Sequence, residues 1–269
     1  MTKKFLILLA VLIICSCNTR TPGNKDAQEG TIENIEDTSS FKAVRIDSTS
    51  FSGLRVYYPS TSVIALTVGS EPNIENDLIC FVCAAAYTGR SIFQHPDSPN
   101  HFDVAGDHIE GGNYYSGYDD SEFNSGGFIW YPGPNSSWEI VDREEFKRKT
   151  TSTPLPFSAF QQELLIHNNQ IQKFHRSGNR ANYYRALCSL NGELCIIDGT
   201  REHMLFSFID LLKNAGVSDA LYLDMGGWRY SWYRELLPDD NSPCPATIIY
   251  EKPQSGYYGS NWLVFYSVN

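Results

Sequence analysis

Short apolar runs alternate with polar turn sequences along most of this chain, a pattern typical of β-strands joined in hairpins. Eleven such runs predict strands: Val63–Val68, Leu78–Ala86, Phe128–Tyr131, Trp138–Val141, Leu164–Ile166, Ile171–Phe174, Tyr184–Leu190, Glu193–Asp198, Ala220–Asp224, Thr247–Tyr250 and Trp262–Ser267. Between two of them, Asn191-Gly192 is typical of a two-residue type I′ hairpin, which places Cys188 directly opposite Cys195.

Two segments have the pattern of helices. Apolar residues repeat at the i, i+3, i+4, i+7 spacing of an amphipathic helix at Leu205, Phe208, Ile209 and Leu212. Thr200 is a candidate N-cap for this helix, and Gly216 is a candidate left-handed residue after its last turn. Asp142–Lys149 predicts a short charged helix capped by Asp142. Hairpins with a few helices predict an α+β fold, namely a mixed, mostly antiparallel β-sheet with helices packed on it.

The N-terminus has the features of an export signal. Lys3 and Lys4 precede the apolar run Phe5–Ile14, which is too short to span a bilayer. Ile14-Cys15-Ser16-Cys17 then matches the site that lipoprotein signal peptidases cleave, so residues 1–17 predict a lipoprotein signal peptide with Cys17 as the lipidated residue. We therefore expect a bacterial envelope lipoprotein, periplasmic or at the cell surface. The alternative is a plain secretory signal with incidental cysteines.

Composition divides the rest of the chain into a tether and one domain. Residues 18–40 are polar and almost free of apolar side chains, which predicts a flexible tether, and residues 41–269 have the length of one domain. The net charge of −10 argues against nucleic acid as a partner. An aromatic content of 13% suits both a large core and stacking against sugar rings.

Five cysteines follow Cys17, which leaves an odd thiol if the others pair: Cys80, Cys83, Cys188, Cys195 and Cys244. Cys80 and Cys83 are three residues apart in one predicted strand, where side chains point to opposite faces, so they are not expected to pair. For the two cysteines opposite each other in the predicted hairpin, a cross-strand disulfide and two free thiols both fit the pattern.

The long polar segment 87–124 contains a group of side chains that could suggest a metal: His101, Asp103, Asp107, His108 and Glu110. Their spacing matches no standard metal site, and solvated loop charges are the preferred interpretation. The chain also lacks a GxGxxG segment, a P-loop and a nucleophile elbow. We predict neither a metal nor another cofactor.

The unit from Arg185 to Trp228 resembles a known family. It consists of Arg185-Ala186-Leu187-Cys188, the hairpin turn, the helix, and a strand ending in Asp224-Met225-Gly226-Gly227. This order resembles the phosphodiester-glycosidase domain family, whose members remove N-acetylglucosamine from sugar–phosphate diesters. Arg185 matches the family arginine, Asp224 its aspartate, and Gly226 and Gly227 two glycines of its Asp-Gly-Gly-Gly-Ser turn. The chain departs from the family pattern at Cys83, Ala85 and Trp228, which replace an asparagine, a glycine and the final serine.

The resemblance implies four candidate catalytic residues: Asp224, Arg185, Glu163 and His167. Asp224 would act as base or nucleophile, because hydrolysis at an anomeric carbon needs a carboxylate. Arg185 would clamp the phosphate, since its planar fork matches the two non-bridging oxygens of a phosphodiester. Glu163 and His167 are secondary acid–base candidates. The alternative for Arg185 and Asp224 is a structural buried ion pair.

Five residues are candidates for substrate binding: Gly226, Gly227, Trp228, Tyr230 and Ser231. The glycines would expose backbone N–H groups to phosphate oxygens, or form only a tight turn. Trp228 and Tyr230 would stack on sugar rings, or pack in the core. Ser231 could replace the missing serine. The predicted function is hydrolysis of sugar–phosphate diesters, with a carbohydrate or sugar phosphate as partner. The alternative is an inactive glycan-binding envelope lipoprotein with the same fold.

Overall fold

The computed structural model of the chain describes residues 44–61, 63–88, 103–118, 121–134, 136–152, 154–175, 179–225, 229–235, 244–252 and 261–267. All of them belong to one compact unit, Ser40–Asn269. The predicted signal peptide with Cys17 and the predicted tether lie outside the described residues.

The described residues form seventeen strands and two helices. In chain order the strands are β1 Val44–Asp47, β2 Leu54–Pro59, β3 Val63–Val68, β4 Ile79–Ala84, β5 His108–Glu110, β6 Asn113–Tyr115, β7 Gly126–Tyr131, β8 Ser137–Asp142, β9 Ser158–Gln162, β10 Leu164–His167, β11 Gln170–Ile171, β12 Arg185–Leu190, β13 Glu193–Gly199, β14 Val217–Leu223, β15 Ser231–Tyr233, β16 Thr247–Tyr250 and β17 Asn261–Tyr266. The helices are α1 Arg143–Thr150 and α2 Leu205–Asn214.

Three antiparallel sheets contain these strands. The large sheet has the order β1-β2-β13-β12-β14-β10-β11, the second sheet β16-β15-β4-β17-β3, and the third sheet β6-β5-β9-β7-β8. One core of large apolar side chains lies between them, with Tyr57 from the large sheet, Phe81 and Phe265 from the second, and Phe128 and Phe160 from the third. Apolar area removed from water stabilises the structure by about 25 cal/mol per Å². Burial between the three sheets therefore holds the fold together.

The predicted α+β class is wrong, because the two described helices have only 8 and 10 residues against seventeen strands. The fold is all-β and sandwich-like. The helical pattern around α2 is real, and its four apolar residues are buried on the outer face of the large sheet. Several short strands in segments of mixed polarity, such as β5 and β6, have too few residues to show alternation in the sequence.

The hairpin of β12 and β13 has the predicted register. Cys188 pairs with Cys195, and the turn residues Asn191 and Gly192 have φ angles of 54° and 81°, as a type I′ turn requires. The five cysteines in the described segments all have free thiols. Of the two interpretations for the pair in this hairpin, the structure therefore has the free thiols.

Helix boundaries follow the predicted signals with one exception. Asp142 caps α1 by accepting a hydrogen bond of 2.9 Å from the backbone N–H of Glu145, and Gly216 has a φ of +87° after α2. The N-cap of α2 is Met204, which makes no side-chain capping bond, so the prediction of Thr200 is wrong. Neither described helix is long enough to cross a bilayer.

Part of the polar group in segment 87–124 is not solvated as predicted, and His101 lies outside the described residues. His108 and Asp103 are buried. Glu110 accepts a hydrogen bond of 2.9 Å from the backbone N–H of Val68 on β3. The amide of Leu66 donates to Ser158 Oγ at 3.1 Å. The edge of β3 that pairs with no other described strand therefore hydrogen-bonds to side chains of the third sheet, and these bonds join the second and third sheets.

Candidate active site

Ionisable side chains lie at the same end of five neighbouring strands of the large sheet. In sheet order they are Arg55 on β2, Asp198 on β13, Arg185 on β12, Asp224 directly after β14, and Glu163 directly before β10. Since neighbouring strands are antiparallel, three of these strands begin at this end of the sheet and two finish there. We name these five residues the charged row. The pairings Arg55 with Asp198 and Asp198 with Arg185 place the first three side by side.

Arg185 and Asp198 form a buried bidentate ion pair in the middle of the charged row. Arg185 Nε donates to Asp198 Oδ1 at 2.6 Å, and Nη2 donates to Oδ2 at 2.7 Å. The two side chains are only 0% and 4% exposed. Burial alone would lower the pKa of Arg185, but the charge and hydrogen bonds of Asp198 raise it overall. The guanidinium is therefore charged, and the two hydrogen bonds fix the orientation of both side chains.

Ser231 also contacts this pair. Its Oγ accepts a hydrogen bond of 3.0 Å from Arg185 Nη2 and donates one of 3.1 Å to the carbonyl oxygen of Arg229. Ser231 is buried on β15 of the second sheet. The predicted substrate-binding serine therefore connects the ion pair to the backbone of Arg229.

Cys83 lies near the same guanidinium. It is fully buried on β4, and burial raises the pKa of its thiol to about 12, although Arg185 opposes this shift. A thiol with such a pKa is neutral at physiological pH and is a poor nucleophile. Cys83 is therefore part of the packing around Arg185.

A cavity of about 310 Å³, here named cavity A, lies beside the buried pair. It is lined by Arg55, Tyr57, Tyr183, Asp198, Gly199, Thr200, Arg229, Ile249 and Tyr250. The guanidinium carbon of Arg229 lies 5.8 Å from the ring centre of Tyr183 and 5.7 Å from that of Tyr250. These rings pack edge to face at 5.8 Å. Cavity A thus combines cations, a carboxylate and aromatic rings.

The two arginines of cavity A give it positive charge. Among the described residues, neither Arg55 nor Arg229 has a carboxylate within ion-pair distance, whereas Arg185 and Asp198 neutralise each other. A hydrogen bond with the Tyr57 hydroxyl raises the pKa of Arg55, and burial raises the pKa of Tyr250 to about 12. At neutral pH Arg55 is charged and Tyr250 is neutral, and Arg229 adds a second guanidinium group, so the cavity attracts anions.

Asp224 and Glu163 occupy the other half of the charged row. Asp224 is buried, and its backbone N–H donates a hydrogen bond of 3.1 Å to the carbonyl oxygen of Ala85, just after β4. Glu163 is also buried; its carbonyl oxygen accepts from the amide of Tyr222, and its Oε1 accepts from the amide of His175. The structure therefore brings the predicted residues Asp224, Glu163 and Arg185 to the same end of the strands of the large sheet.

His167 does not lie at this end of the sheet. Its Nδ1 is 2.9 Å from Asp219 Oδ1. Asp219 precedes Asp224 by five residues on the β14 strand, which is roughly 16 Å of extended chain. The structure therefore places His167 toward the other end of the large sheet, away from Asp224.

The remaining predicted binding residues are separated from cavity A or lie outside the described residues. Tyr230 is buried in a smaller core on the outer face of the second sheet, where its ring packs edge to face with Trp262 at 6.2 Å. Gly226, Gly227 and Trp228 lie outside the described residues. In the described segments, no group of three or more His, Cys, Asp and Glu side chains could hold a metal ion.

The sequence predictions missed Asp198, Arg55 and Arg229. A signal for Asp198 was present, because counting outward from the turn Asn191-Gly192 pairs position 198 with Arg185. No local signal was present for Arg55, which reaches the site because β2 pairs with β13, more than a hundred residues later in the chain.

No family model and no curated protein matches this sequence. Among solved structures, the chain is similar to the catalytic domain of zebrafish N-acetylglucosamine-1-phosphodiester alpha-N-acetylglucosaminidase, auto-inhibited by its pro-peptide. The identity is 12%, the match covers 84% of this chain and 83% of that chain, and the TM-score is 0.52. A hypothetical protein from Synechocystis matches at 11% identity over 83% of this chain and 61% of that chain, with a TM-score of 0.49. The first match shows that this chain is distantly related in fold to a phosphodiester glycosidase catalytic domain.

Proposed function

We propose that this chain is a hydrolase of the phosphodiester-glycosidase type that binds a sugar–phosphate diester in cavity A. The observation that supports this most is the pair of arginines, Arg55 and Arg229, beside the buried carboxylate of Asp198. The distant similarity in fold to a domain that acts on such a diester favours the same class of substrate.

The phosphate group is assigned to the two cavity arginines. A phosphodiester has one negative charge and two non-bridging oxygens, which suit the planar donor fork of arginine. Nε and Nη2 of Arg185, the residue first predicted for this role, already bind Asp198. Arg185 is therefore proposed as a positioning residue that holds Asp198 at the wall of cavity A.

The sugar is assigned to the aromatic and acidic side of cavity A. Tyr183 and Tyr250 present aromatic surface to a pyranose ring. Asp198, which lines cavity A, would stabilise positive charge that develops at the anomeric carbon. Asp224 lies outside the lining of cavity A, at the same end of the sheet, and its proposed role as base or nucleophile requires that the sugar extend from cavity A toward it. A phosphate leaving group is weakly basic, so this reaction depends less on a general acid than ordinary glycoside hydrolysis does.

The test is release of free sugar from an N-acetylglucosamine-1-phosphodiester by the purified full-length chain. Asp198→Asn and Asp224→Asn are expected to abolish release. Arg55→Gln and Arg229→Gln are expected to raise KM by about 10- to 100-fold, the loss of one charged hydrogen bond. Arg148→Gln, which removes an exposed arginine of α1, is the matched control. Release that is unchanged in both aspartate variants contradicts the site assignment.

The alternative is a glycan-binding protein that has lost the chemistry. The observation that favours it is the neutral, buried thiol of Cys83 at the position of a family asparagine. It predicts that the same diester binds to the full-length chain, that Arg229→Gln weakens binding, and that no sugar is released.

We also propose that the chain is an envelope lipoprotein anchored through Cys17, on the basis of the lysines, the apolar run and the cysteine pattern at its N-terminus. Metabolic labelling with a clickable fatty acid tests this. Label is expected on the wild-type chain and absent from Cys17→Ser, and equal labelling of both contradicts the proposal.

A further inference from the structure

A second cavity, of about 550 Å³ and here named cavity B, lies toward the other end of the large sheet. It is bounded by the turn of the β12–β13 hairpin at Gly192 and by the β7–β8 hairpin of the third sheet. Glu193 of cavity B and Asp198 of cavity A are five residues apart on β13, roughly 16 Å. Cavity B is therefore distinct from the candidate active site.

We infer that cavity B is a binding site for a neutral oligosaccharide. Its aromatic wall is formed by Trp130 and Trp138, which stand directly opposite each other on β7 and β8 and so share one face of the sheet. Trp130 is buried and Trp138 is half-buried. Indole rings bind the apolar C–H face of a pyranose ring through contact area and their electron-rich surface.

The polar wall of cavity B is an exposed ion pair on the large sheet. Arg45 Nη2 donates to Glu193 Oε2 at 2.7 Å, and the guanidinium carbon of Arg45 lies 3.7 Å above the centre of the Tyr58 ring. The arginine is thus held on two sides while its other N–H groups and the second oxygen of Glu193 remain at the cavity. Sugar hydroxyls both donate and accept hydrogen bonds, and this pair offers acceptors and donors together.

The charge of cavity B favours a neutral ligand. Arg45 and Glu193 are the only charged side chains among the described residues that line it, and they neutralise each other. Cavity A, in contrast, has two arginines without an ion pair in the described segments. The volume of cavity B lies within the range of about 300–1,000 Å³ that is usual for ligand sites. This assignment does not depend on the proposed hydrolysis, because it uses none of the residues of cavity A.

Binding of neutral hexasaccharides to the full-length chain tests the inference. The probes are the hexamers of N-acetylglucosamine and of glucose, measured by calorimetry and by tryptophan fluorescence. At least one hexamer is expected to bind. Trp138→Ala is expected to weaken its affinity at least tenfold, and Arg45→Ala about threefold. Phe206→Ala, which removes an exposed aromatic side chain of α2, is the matched control and should leave affinity unchanged.

Three outcomes overturn the inference. The first is that neither neutral hexamer binds. The second is that affinity is unchanged in both Trp138→Ala and Arg45→Ala. The third is that an anionic hexamer, hexagalacturonate, binds more tightly than the neutral hexamers through the same residues. The Arg45 side chain is 54% exposed, so its removal leaves the fold intact even if Trp138→Ala unfolds. The arginine variant then decides alone.

Discussion

Two arginine–carboxylate pairs involve the same strand, β13, and their distances are nearly equal while their surroundings differ. Arg185 and Asp198 are 2.6 Å apart with side chains 0% and 4% exposed, whereas Arg45 and Glu193 are 2.7 Å apart with side chains 54% and 62% exposed. Removal of one partner from a buried pair leaves an uncompensated charge away from water. In an exposed pair, water replaces the lost partner. Burial, rather than distance, therefore decides what each pair contributes to stability.

The same difference separates what the two pairs can do for a ligand. In the buried pair, Nε and Nη2 of Arg185 are held by Asp198 and Ser231 and its Nη1 is buried, so Arg185 does not line cavity A, and the pair reaches that cavity only through Asp198. The exposed pair keeps donors and acceptors at the wall of cavity B. A functional arginine in this protein is therefore better identified by N–H groups that face a cavity than by its charge.

The largest expected effect is that of Arg185→Met. It leaves Asp198 buried without its partner and should reduce the free energy of unfolding by about 3–5 kcal/mol, measured by urea denaturation. Adding Asp198→Leu to this variant should restore part of the loss, because no buried charge then remains. A loss below about 1 kcal/mol in the single variant would show that the pair is solvated in solution.

Ser231→Ala is expected to have the next largest effect. It removes an acceptor from Arg185 Nη2 in a buried site and should reduce the free energy of unfolding by about 1–3 kcal/mol. The matched control is Ser136→Ala, which changes an exposed serine near cavity B. Equal stability of the two variants would contradict the role of Ser231 in orienting the buried pair.

Gly192→Ala tests the turn near the exposed pair. Gly192 has a φ of +81° with no atom within 4 Å of an added Cβ, so the effect is backbone strain alone, about 1–2 kcal/mol. The measurement is again urea denaturation. If Gly192→Ala were as stable as the wild type, the turn would not have the type I′ conformation.

The smallest effect is expected for Arg45→Gln. The exposed pair contributes about 0–1 kcal/mol, and that contribution should fall as salt is added. A double-mutant cycle with Glu193→Gln at low and high ionic strength measures the coupling. A coupling above about 2 kcal/mol would remove the contrast between the two pairs.

The sequence predicted local elements of the fold well and its class incorrectly. β3 and β16 have the predicted limits, and the β12–β13 hairpin has the predicted register, because apolar alternation and turn residues are local signals. β1 and β2 were missed, since their polar and apolar residues are mixed and their partners are distant in the chain. With these and the short strands of the third sheet unseen, the helices appeared more prominent than they are.

The candidate site was predicted in part for the same reason. Arg185, Asp224 and Glu163 lie at one end of the large sheet, because each is at the end of a strand and the three strands β12, β14 and β10 are neighbours. His167 was a secondary acid–base candidate together with Glu163, but strand β10 runs from Glu163 toward the opposite end of the sheet and takes His167 there. Arg55 depends on a pairing of β2 with β13 that no local pattern shows.

The buried thiols have a consequence for how the protein opens. Cys80 and Cys83 belong to the second sheet and Cys188 and Cys195 to the large sheet, and burial raises the pKa of all four thiols. An alkylating reagent needs an accessible thiolate, so it can modify each pair only while the sheet around it is open. The rates at which the reagent alkylates the two thiol pairs therefore report whether the two sheets separate together or one before the other.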